Sequence, residues 1–167
     1  MFREMRRTKC SLKLETAKKI LREGTSGVLA LSGDDGYCYA VPISYACADN
    51  KIYFHSATEG HKLDAIERNE KVSFCVVAKD EVVSEEFTSY YASAIAFGKI
   101  KIVRDNDDPE KRRGLELLAE KYSPNEGKEK TEKEIIGKMN ALVVMVMEIE
   151  HLTGKAAREL VRDKKIQ

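Results

Sequence analysis

The chain has 167 residues, of which 43% are hydrophobic and 34% are charged, and its formal net charge is +1. This length and composition suit one folded, soluble domain with its own core rather than a disordered chain. The near-zero charge excludes a global attraction to nucleic acid or to an anionic membrane, so any anion site must be local.

The ends and the cysteines of the chain predict a cytoplasmic protein. The N-terminal segment MFREMRRTK is strongly charged, and no apolar segment of a signal peptide follows it. The longest apolar run, ALVVMVM at 141–147, is too short to cross a bilayer. The four cysteines lie far apart without a C-x-x-C pair, which favours reduced thiols over a zinc or redox motif.

Hydrophobic periodicity predicts the elements in chain order. A helix is expected over 13–23, where Leu14, Ala17 and Ile20 share one face and Gly24 provides a stop. Asp108 and Pro109 are typical of the start of another helix, which should continue to about residue 123. The remaining expected elements are strands over 27–33, 37–46, 51–56, 71–79, 90–103 and 141–152 and a helix over 59–68.

The order of these elements favours an α+β fold. The strands follow one another through tight turns with few crossover helices, which predicts an antiparallel sheet closed or half-closed into a barrel. Residues 123–134 are charged and poor in large apolar groups, so we expect a surface loop there, with a short helix at 131–139. Residues 1–167 are expected to form one domain, with 153–167 as a C-terminal tail.

The strand-to-helix junction HSATEGHK, at 55–62, is the main candidate binding site. Two hydroxyls, Ser56 and Thr58, stand near the free N–H groups of a helix start and near the ammonium of Lys62, a combination that suits a phosphate. The residues alone favour a simpler interpretation, in which Ser56 or Thr58 caps the helix and Lys62 is solvated. His55 is either a ligand-binding group or a half-buried histidine at a strand end.

A proline in one predicted strand and a face of small residues in another each have two interpretations. Pro42 stands inside a predicted strand, which indicates an edge position or bulge, or backbone that faces a ligand. On the strand over 90–103 one face carries only small side chains, which permits close approach of the barrel interior or of a second subunit. These small residues are Ala92, Ala94, Ala96 and Gly98.

Five segments in this order resemble the FMN-binding split-barrel superfamily, which includes pyridoxamine 5′-phosphate oxidase, and within it the nitroimidazole-resistance (Nim-type) branch. They are GVLAL, YAVPISYA, KIYFHSATEGHKLDAI, YYASAIAFGKI and EIEHLTGKAAR, and the resemblance covers roughly residues 5–158. It implies a six-stranded antiparallel split β-barrel with flanking helices. It also reverses the preference for a simple helix cap, because the equivalent junction in this superfamily holds the flavin phosphate.

The resemblance further implies a homodimer with FMN at the subunit interface. The residues implied on the phosphate and ribityl side are His55, Ser56, Ala57 and Lys62. Those implied beside the isoalloxazine edge are Val41, Pro42 and Ile43. Tyr91 and Ser93 would contribute from the long strand, from the same or the other subunit, and Lys155 from the C-terminal segment.

The implied function is a flavin-dependent oxidoreductase that passes electrons to a small acceptor such as a nitro-aromatic compound. The chain lacks the long basic C-terminal motif of pyridoxamine 5′-phosphate oxidase, so pyridoxamine phosphate is not the expected substrate. The alternatives are FAD in place of FMN, a flavin-binding protein without turnover, and a haem-binding protein with His55, His61 or His151 as ligand. We expect no metal site, no nucleic-acid partner and no membrane partner.

Overall fold

The structure is a computed structural model that describes residues 1–163 and residue 166. Its centre is one seven-stranded antiparallel sheet with the strand order β2-β1-β5-β6-β7-β4-β3. The strands are β1 (Ser26–Ser32), β2 (Cys38–Ser44), β3 (Ala46–Ala48), β4 (Lys51–Ala57), β5 (Lys71–Val83), β6 (Thr88–Val103) and β7 (Leu142–Ala156). The helices are α1 (Leu14–Glu23), α2 (His61–Arg68), α3 (Pro109–Tyr122), α4 (Lys128–Lys138) and α5 (Arg158–Arg162).

Tyr45 closes the sheet into a split barrel. It is the single residue between β2 and β3, and these strands stand at opposite ends of the strand order, so the sheet must curl until its ends meet. The phenol of Tyr45 is buried and donates to the carbonyl of Leu21 at 2.6 Å, while its backbone N–H donates to the hydroxyl of Tyr122 at 2.9 Å. The predicted fold class is confirmed. Seven strands replace the expected six because Tyr45 divides the strand predicted over 37–46.

The opening between β2 and β4 is called the split here. β3 pairs with only the first half of β4, from Lys51 to Tyr53, whereas β7 pairs with β4 as far as Ala57. On its other side, β2 is paired with β1 along its whole length. The split is therefore bordered by backbone edges, which offer free N–H and C=O groups.

The small residues of β6 lie inside the barrel. Ala92, Ala94 and Ala96 have no exposed surface, and they leave room for the large rings of Phe54 and Phe74, which pack edge to face at 5.1 Å. A Cβ at Gly98 would stand 1.9 Å from the carbonyl oxygen of Glu148, so only glycine fits beside the irregularity there. The first of the two interpretations of this face, close packing in the barrel interior, is the one observed.

The last strand is buried on both sides, which explains its continuous apolar run. Met145 and Met147 point into the barrel, whereas Val144 and Val146 point outward and pack with side chains of α3 and α4 such as Leu115 and Ile135. α1 and α2 contribute buried side chains to the barrel core.

The polar C-terminal third is more ordered than its composition predicts. The loop expected over 123–134 is wrong in part, because α4 begins at Lys128. Ion pairs one helical turn apart, Lys130 with Glu126 at 2.6 Å and Lys138 with Glu134 at 2.6 Å, and the burial of Ile135 support this charged helix. The segment expected as a tail from residue 153 begins inside β7, which pairs with β6 as far as Ala156.

The helix predicted after Asp108 is confirmed. The carboxylate of Asp108 accepts a hydrogen bond at 2.8 Å from the backbone N–H of Glu110, and Pro109 occupies the first helical position. Among the described residues, no helix combines the length and the apolar character that crossing a bilayer requires.

Candidate functional site

The junction between β4 and α2 presents a free helix start. α2 begins at His61, two residues later than predicted, and its cap position is Gly60, whose φ of 130° is one that other residues rarely adopt. No side chain caps the helix, so the simple role foreseen for Ser56 or Thr58 is not observed. The carbonyl of Gly60 accepts from the N–H groups of residues 63 and 64, which leaves those of residues 61 and 62 without an acceptor in the helix.

Lys62 and Ser56 meet beside this helix start. The ammonium of Lys62 donates to the hydroxyl of Ser56 at 2.7 Å, and Ser56 is only 7% exposed. Within residues 1–163 and 166, no carboxylate forms an ion pair with Lys62, and the nearby Glu59 points into solvent. The junction therefore combines an uncompensated cation, a hydroxyl and free backbone donors, and these are the groups that a phosphate requires.

His55 borders the same junction, and its surroundings favour the neutral form of its imidazole. It lies opposite Val144 in the pairing of β4 with β7, and part of its ring remains accessible to solvent. The protein atoms packed around the imidazole lower its pKa, and repulsion from Lys138 and Lys62 lowers the pKa further. A neutral imidazole at this position both donates and accepts one hydrogen bond.

The segment Val41, Pro42 and Ile43 forms the other border of the split. Pro42 lies in an edge strand, where its missing N–H breaks no hydrogen bond in the sheet, and its ring is exposed. Tyr39, two residues before Val41, stacks on the ring of His61 with centroids 4.1 Å apart. This contact brings β2 to the start of α2, so the residues predicted on the two sides of the split lie around one opening.

The other predicted residues form a second cluster at the far end of β6. Ser93 pairs with Lys155 across β6 and β7, and the ammonium of Lys155 lies 5.3 Å from the ring centroid of Tyr91. His55 is instead level with Val103, through the pairing of β4 with β7 and of β7 with β6. Val103 comes ten positions after Ser93 in β6, which is roughly 33 Å along the strand. The chain by itself does not bring the two clusters together.

Sequence reasoning missed Arg104, which supports the junction from a distant part of the chain. Its guanidinium donates to the carbonyl of Thr58 at 2.8 Å and to the carboxylate of Glu67 at 2.6 Å. Arg104 follows directly after β6, and its proximity to the junction depends on the strand register. Neither its own sequence neighbours nor a motif indicates this role.

A cleft of about 320 Å³ adjoins the split. Ser44 at the end of β2 and His55 in β4 contribute polar groups to its wall. Most of its other lining is apolar and comes from α3, α4 and the start of β7, including Leu115, Leu118 and Leu142. A cleft with apolar walls and a few polar groups suits a small, largely planar organic group.

The family model described as pyridoxamine 5′-phosphate oxidase matches residues 13–156, which include both clusters. No curated protein matches the chain in sequence. Several solved structures share its fold. A conserved hypothetical protein from Mycobacterium tuberculosis is 18% identical with a TM-score of 0.77, over 98% of this chain and 94% of that chain.

Two further solved structures connect the fold with named properties of other proteins. A candidate 5-nitroimidazole antibiotic resistance protein from Bacteroides thetaiotaomicron is 19% identical with a TM-score of 0.74, over 87% of this chain and 86% of that chain. An FAD and heme binding protein from Mycobacterium smegmatis is 20% identical with a TM-score of 0.70, over 89% of this chain and 73% of that chain. At these identities the likeness establishes the fold, whereas the family model covers most of the chain. The protein belongs to the pyridoxamine 5′-phosphate oxidase family.

Proposed function

We propose that the protein binds FMN at the split and acts as a cytoplasmic flavin-dependent oxidoreductase with a small acceptor. The observation that carries this proposal is the junction of Lys62, Ser56 and the uncapped start of α2. An ammonium without an ion-pair partner, next to a buried hydroxyl and free N–H groups, favours the binding of an anion. The terminal phosphate of FMN has the charge and the acceptor oxygens that this arrangement lacks.

The flavin ring would lie along β2. From a phosphate at Lys62, the ribityl chain would pass His55 and Ala57, and the ring would reach the free edge of β2 at Val41, Pro42 and Ile43. Half of the backbone N–H and C=O groups in an edge strand point away from the sheet, and these groups can bind the polar edge of the ring. Family membership supports this placement, as does the contact between Tyr39 and His61 that joins β2 to the helix start.

A homodimer would bring the second cluster to the same flavin. Tyr91 and Ser93 in β6 and Lys155 in β7 lie too far from the junction to join the split of their own chain, so in this proposal they reach the flavin of the partner subunit. The apolar surface available for association is the outer side of β1, β5 and β6, which we call the open face and define by Val28, Cys75, Val77 and Ile95. Val28 is 38% exposed and Val77 is 63% exposed.

The small face of β6, for which the sequence allows contact with a second subunit, is not the basis of this proposed dimer. The small residues of β6 and the apolar last strand are both buried within the chain, so they offer no exposed apolar surface to a partner. Obligate dimers commonly bury more than about 2,000 Å². The open face, together with the second cluster, is the surface that we propose for this role.

The residues would bind and orient the flavin, while the cofactor would carry the electrons. When bound, the flavin would take up electrons from a reduced donor and pass them to the acceptor. The neutral His55 would hold a hydrogen bond beside the flavin without adding a second positive charge next to Lys62. The cleft between Ser44 and His55 would receive a small planar acceptor, for which a nitro-aromatic compound is the test case.

Calorimetry with FMN, FAD and riboflavin tests the proposal most directly. Protein freed of cofactor should bind FMN with micromolar affinity or better, and mass spectrometry of the natively bound cofactor should give FMN. An absorption spectrum with a Soret band and no flavin bands would favour the haem alternative instead. Absence of both flavin binding and flavin bands would refute the proposal.

A second experiment tests the acceptor. The flavin of the loaded protein is reduced under anaerobic conditions and then mixed with a nitroimidazole, while the flavin and nitro absorbances are followed. Reoxidation of the flavin together with loss of the nitro band is expected. Flavin binding without reoxidation by nitroimidazoles or by other small acceptors would favour the alternative of a flavin-binding protein without turnover.

A further inference from the structure

A strongly basic cleft of about 550 Å³ lies at the opposite end of β6 from the split. Its walls come from the N-terminal segment, from the start of β6 and from the start of α5 with the residue before it. Four of its lining residues are cations, namely Arg6, Arg7, Lys9 and Arg158, and we call it the basic cleft. Thr8, Thr88 and Ser89 add hydroxyl groups.

The charge of the basic cleft is not balanced by the described residues that line it. Among these residues Glu159 is the only acidic one, which gives an excess of three positive charges in a chain whose net charge is +1. In the described part of the chain, none of the four cations forms an ion pair. Cations without partners in a concave site raise the local concentration of anions and favour their binding.

Backbone hydrogen bonds hold the walls of the basic cleft in place. The turn Thr8–Cys10 anchors its last side chain, which is 7% exposed, and the N–H of Leu12 donates to the carbonyl of Gly154 at 2.9 Å. On the other wall, the N–H of Ala157 donates to the carbonyl of Tyr91 at 2.9 Å. Arg7, Lys9 and Arg158 are therefore presented from segments fixed to the sheet and not from a free tail.

We propose that the basic cleft binds the pyrophosphate group of a dinucleotide. Guanidinium groups form paired hydrogen bonds with phosphate oxygens, and three arginines line this cleft. Its volume exceeds that needed for a single phosphate ion, and its four cations suit a group with at least two negative charges. Tyr91 lies both in the basic cleft and in the second cluster, so the bound dinucleotide would lie next to the proposed flavin.

Two sources of this chemistry fit the position: FAD, whose pyrophosphate would reach the basic cleft from the phosphate that it shares with FMN, and a separate nicotinamide donor with its own pyrophosphate. Only the position of this site next to a flavin depends on the proposed function, because pyrophosphate binding can be measured in flavin-free protein. The test compares Arg7→Gln/Arg158→Gln with the control Lys128→Gln/Lys133→Gln. The control removes two exposed cations of α4, outside the basic cleft.

Calorimetry with inorganic pyrophosphate and with NADPH on flavin-free protein gives the first result. Wild type and control should bind both probes, with affinity that falls as salt is added. The cleft variant should bind them roughly tenfold more weakly, since each exposed ion contact changes an affinity only a few-fold. Thermal unfolding of all three proteins should coincide, because exposed side chains are replaced.

Binding experiments with FAD, FMN and NADPH distinguish the two sources. If the cleft serves FAD, wild type binds FAD more tightly than FMN, and the cleft variant loses this advantage while its FMN affinity is unchanged. If it serves a separate donor, FAD has no advantage, and NADPH binding to the FMN-loaded protein falls in the cleft variant only. Pyrophosphate and NADPH binding that is undetectable in wild type, or equal in the cleft variant and the control, would overturn the inference. A protein that binds pyrophosphate but no flavin would lose the proposed function and keep this site.

Discussion

The barrel has two outer sides that differ in how their apolar residues are covered. Over β4 and β7, α3 and α4 bury Val144 and Val146 completely. On the open face, Val28 and Val77 keep 38% and 63% of their surface exposed. An apolar outward-facing strand is therefore no evidence of a second subunit until the chain's own helices have been placed. Only the side that they leave open is available to the proposed dimer.

The largest expected effect comes from a charge placed on the open face. Ile95→Glu should dissociate the proposed dimer while each subunit stays folded, because burying an unpaired carboxylate costs more than about 3 kcal/mol and weakens association at least ~100-fold. Light scattering over a dilution series measures this change. Ile136→Glu is the matched control, since Ile136 is 60% exposed on α4. Dimers of equal stability in both variants would remove the open face as the interface.

A substitution on the side covered by α3 and α4 should change the stability of the fold and not the association of subunits. Leu115→Ala should lower the free energy of unfolding by about 2–5 kcal/mol, because Leu115 is 8% exposed and the truncation leaves a cavity under α3. Denaturant unfolding at several protein concentrations measures this loss, which should be the same at each concentration. A loss that disappears at high concentration would mean that this side also contacts the partner.

The next effect concerns the phosphate junction. Lys62→Ala should weaken FMN binding ~10–150-fold, since a charge-assisted hydrogen bond contributes ~1.5–3 kcal/mol. Riboflavin, which has no phosphate, should bind wild type and variant alike. Calorimetry with both flavins measures the difference, and Lys133→Ala on α4 is the control. An equal loss for FMN and riboflavin would show that Lys62 does not contact the phosphate.

Subunit complementation sharpens the comparison between the two clusters. If Lys62 of one chain and Lys155 of the other serve one flavin, a heterodimer of Lys62→Ala and Lys155→Ala chains has one intact site and one doubly altered site. About half of its sites should then bind FMN with wild-type affinity. Titration of the purified heterodimer gives the stoichiometry. Two equally weakened sites would place both lysines on the same flavin from one chain.

The smallest effect is a pH dependence of the flavin-free protein. The pKa of His55 lies below its ordinary value of 6.5, so the unfolded chain binds more protons than the folded one once the pH falls below that value. Stability should therefore decrease as the pH is lowered from about 7.5 to about 5.5, and His55→Gln should remove part of this decrease. Urea unfolding at the two pH values measures it. Identical pH dependence in both proteins would show that His55 does not contribute.

The sequence by itself determined the elements whose signals are local. The helix after Asp108 follows from a cap and a proline, and most strands follow from apolar runs between turns. The candidate segments 41–43 and 55–62 could also be named, because hydroxyls and a lysine at a strand-to-helix junction and a proline within a strand are visible as short motifs. The helix α4 was predicted only in part, as a short helix at 131–139 after a loop, because its support, ion pairs and one buried isoleucine, has no strong periodicity.

Tertiary structure alone decided which of these segments meet. Local patterns do not encode the closure of the sheet at Tyr45, which brings β2 to β4 and opens the split, because the two edges are joined through the whole strand order. Register likewise decided that Arg104 supports the junction and that Tyr91, Ser93 and Lys155 lie at the far end of β6. Tertiary structure also decided that α3 and α4 of the same chain cover the outer apolar face of β7, because burial depends on helices distant in the chain.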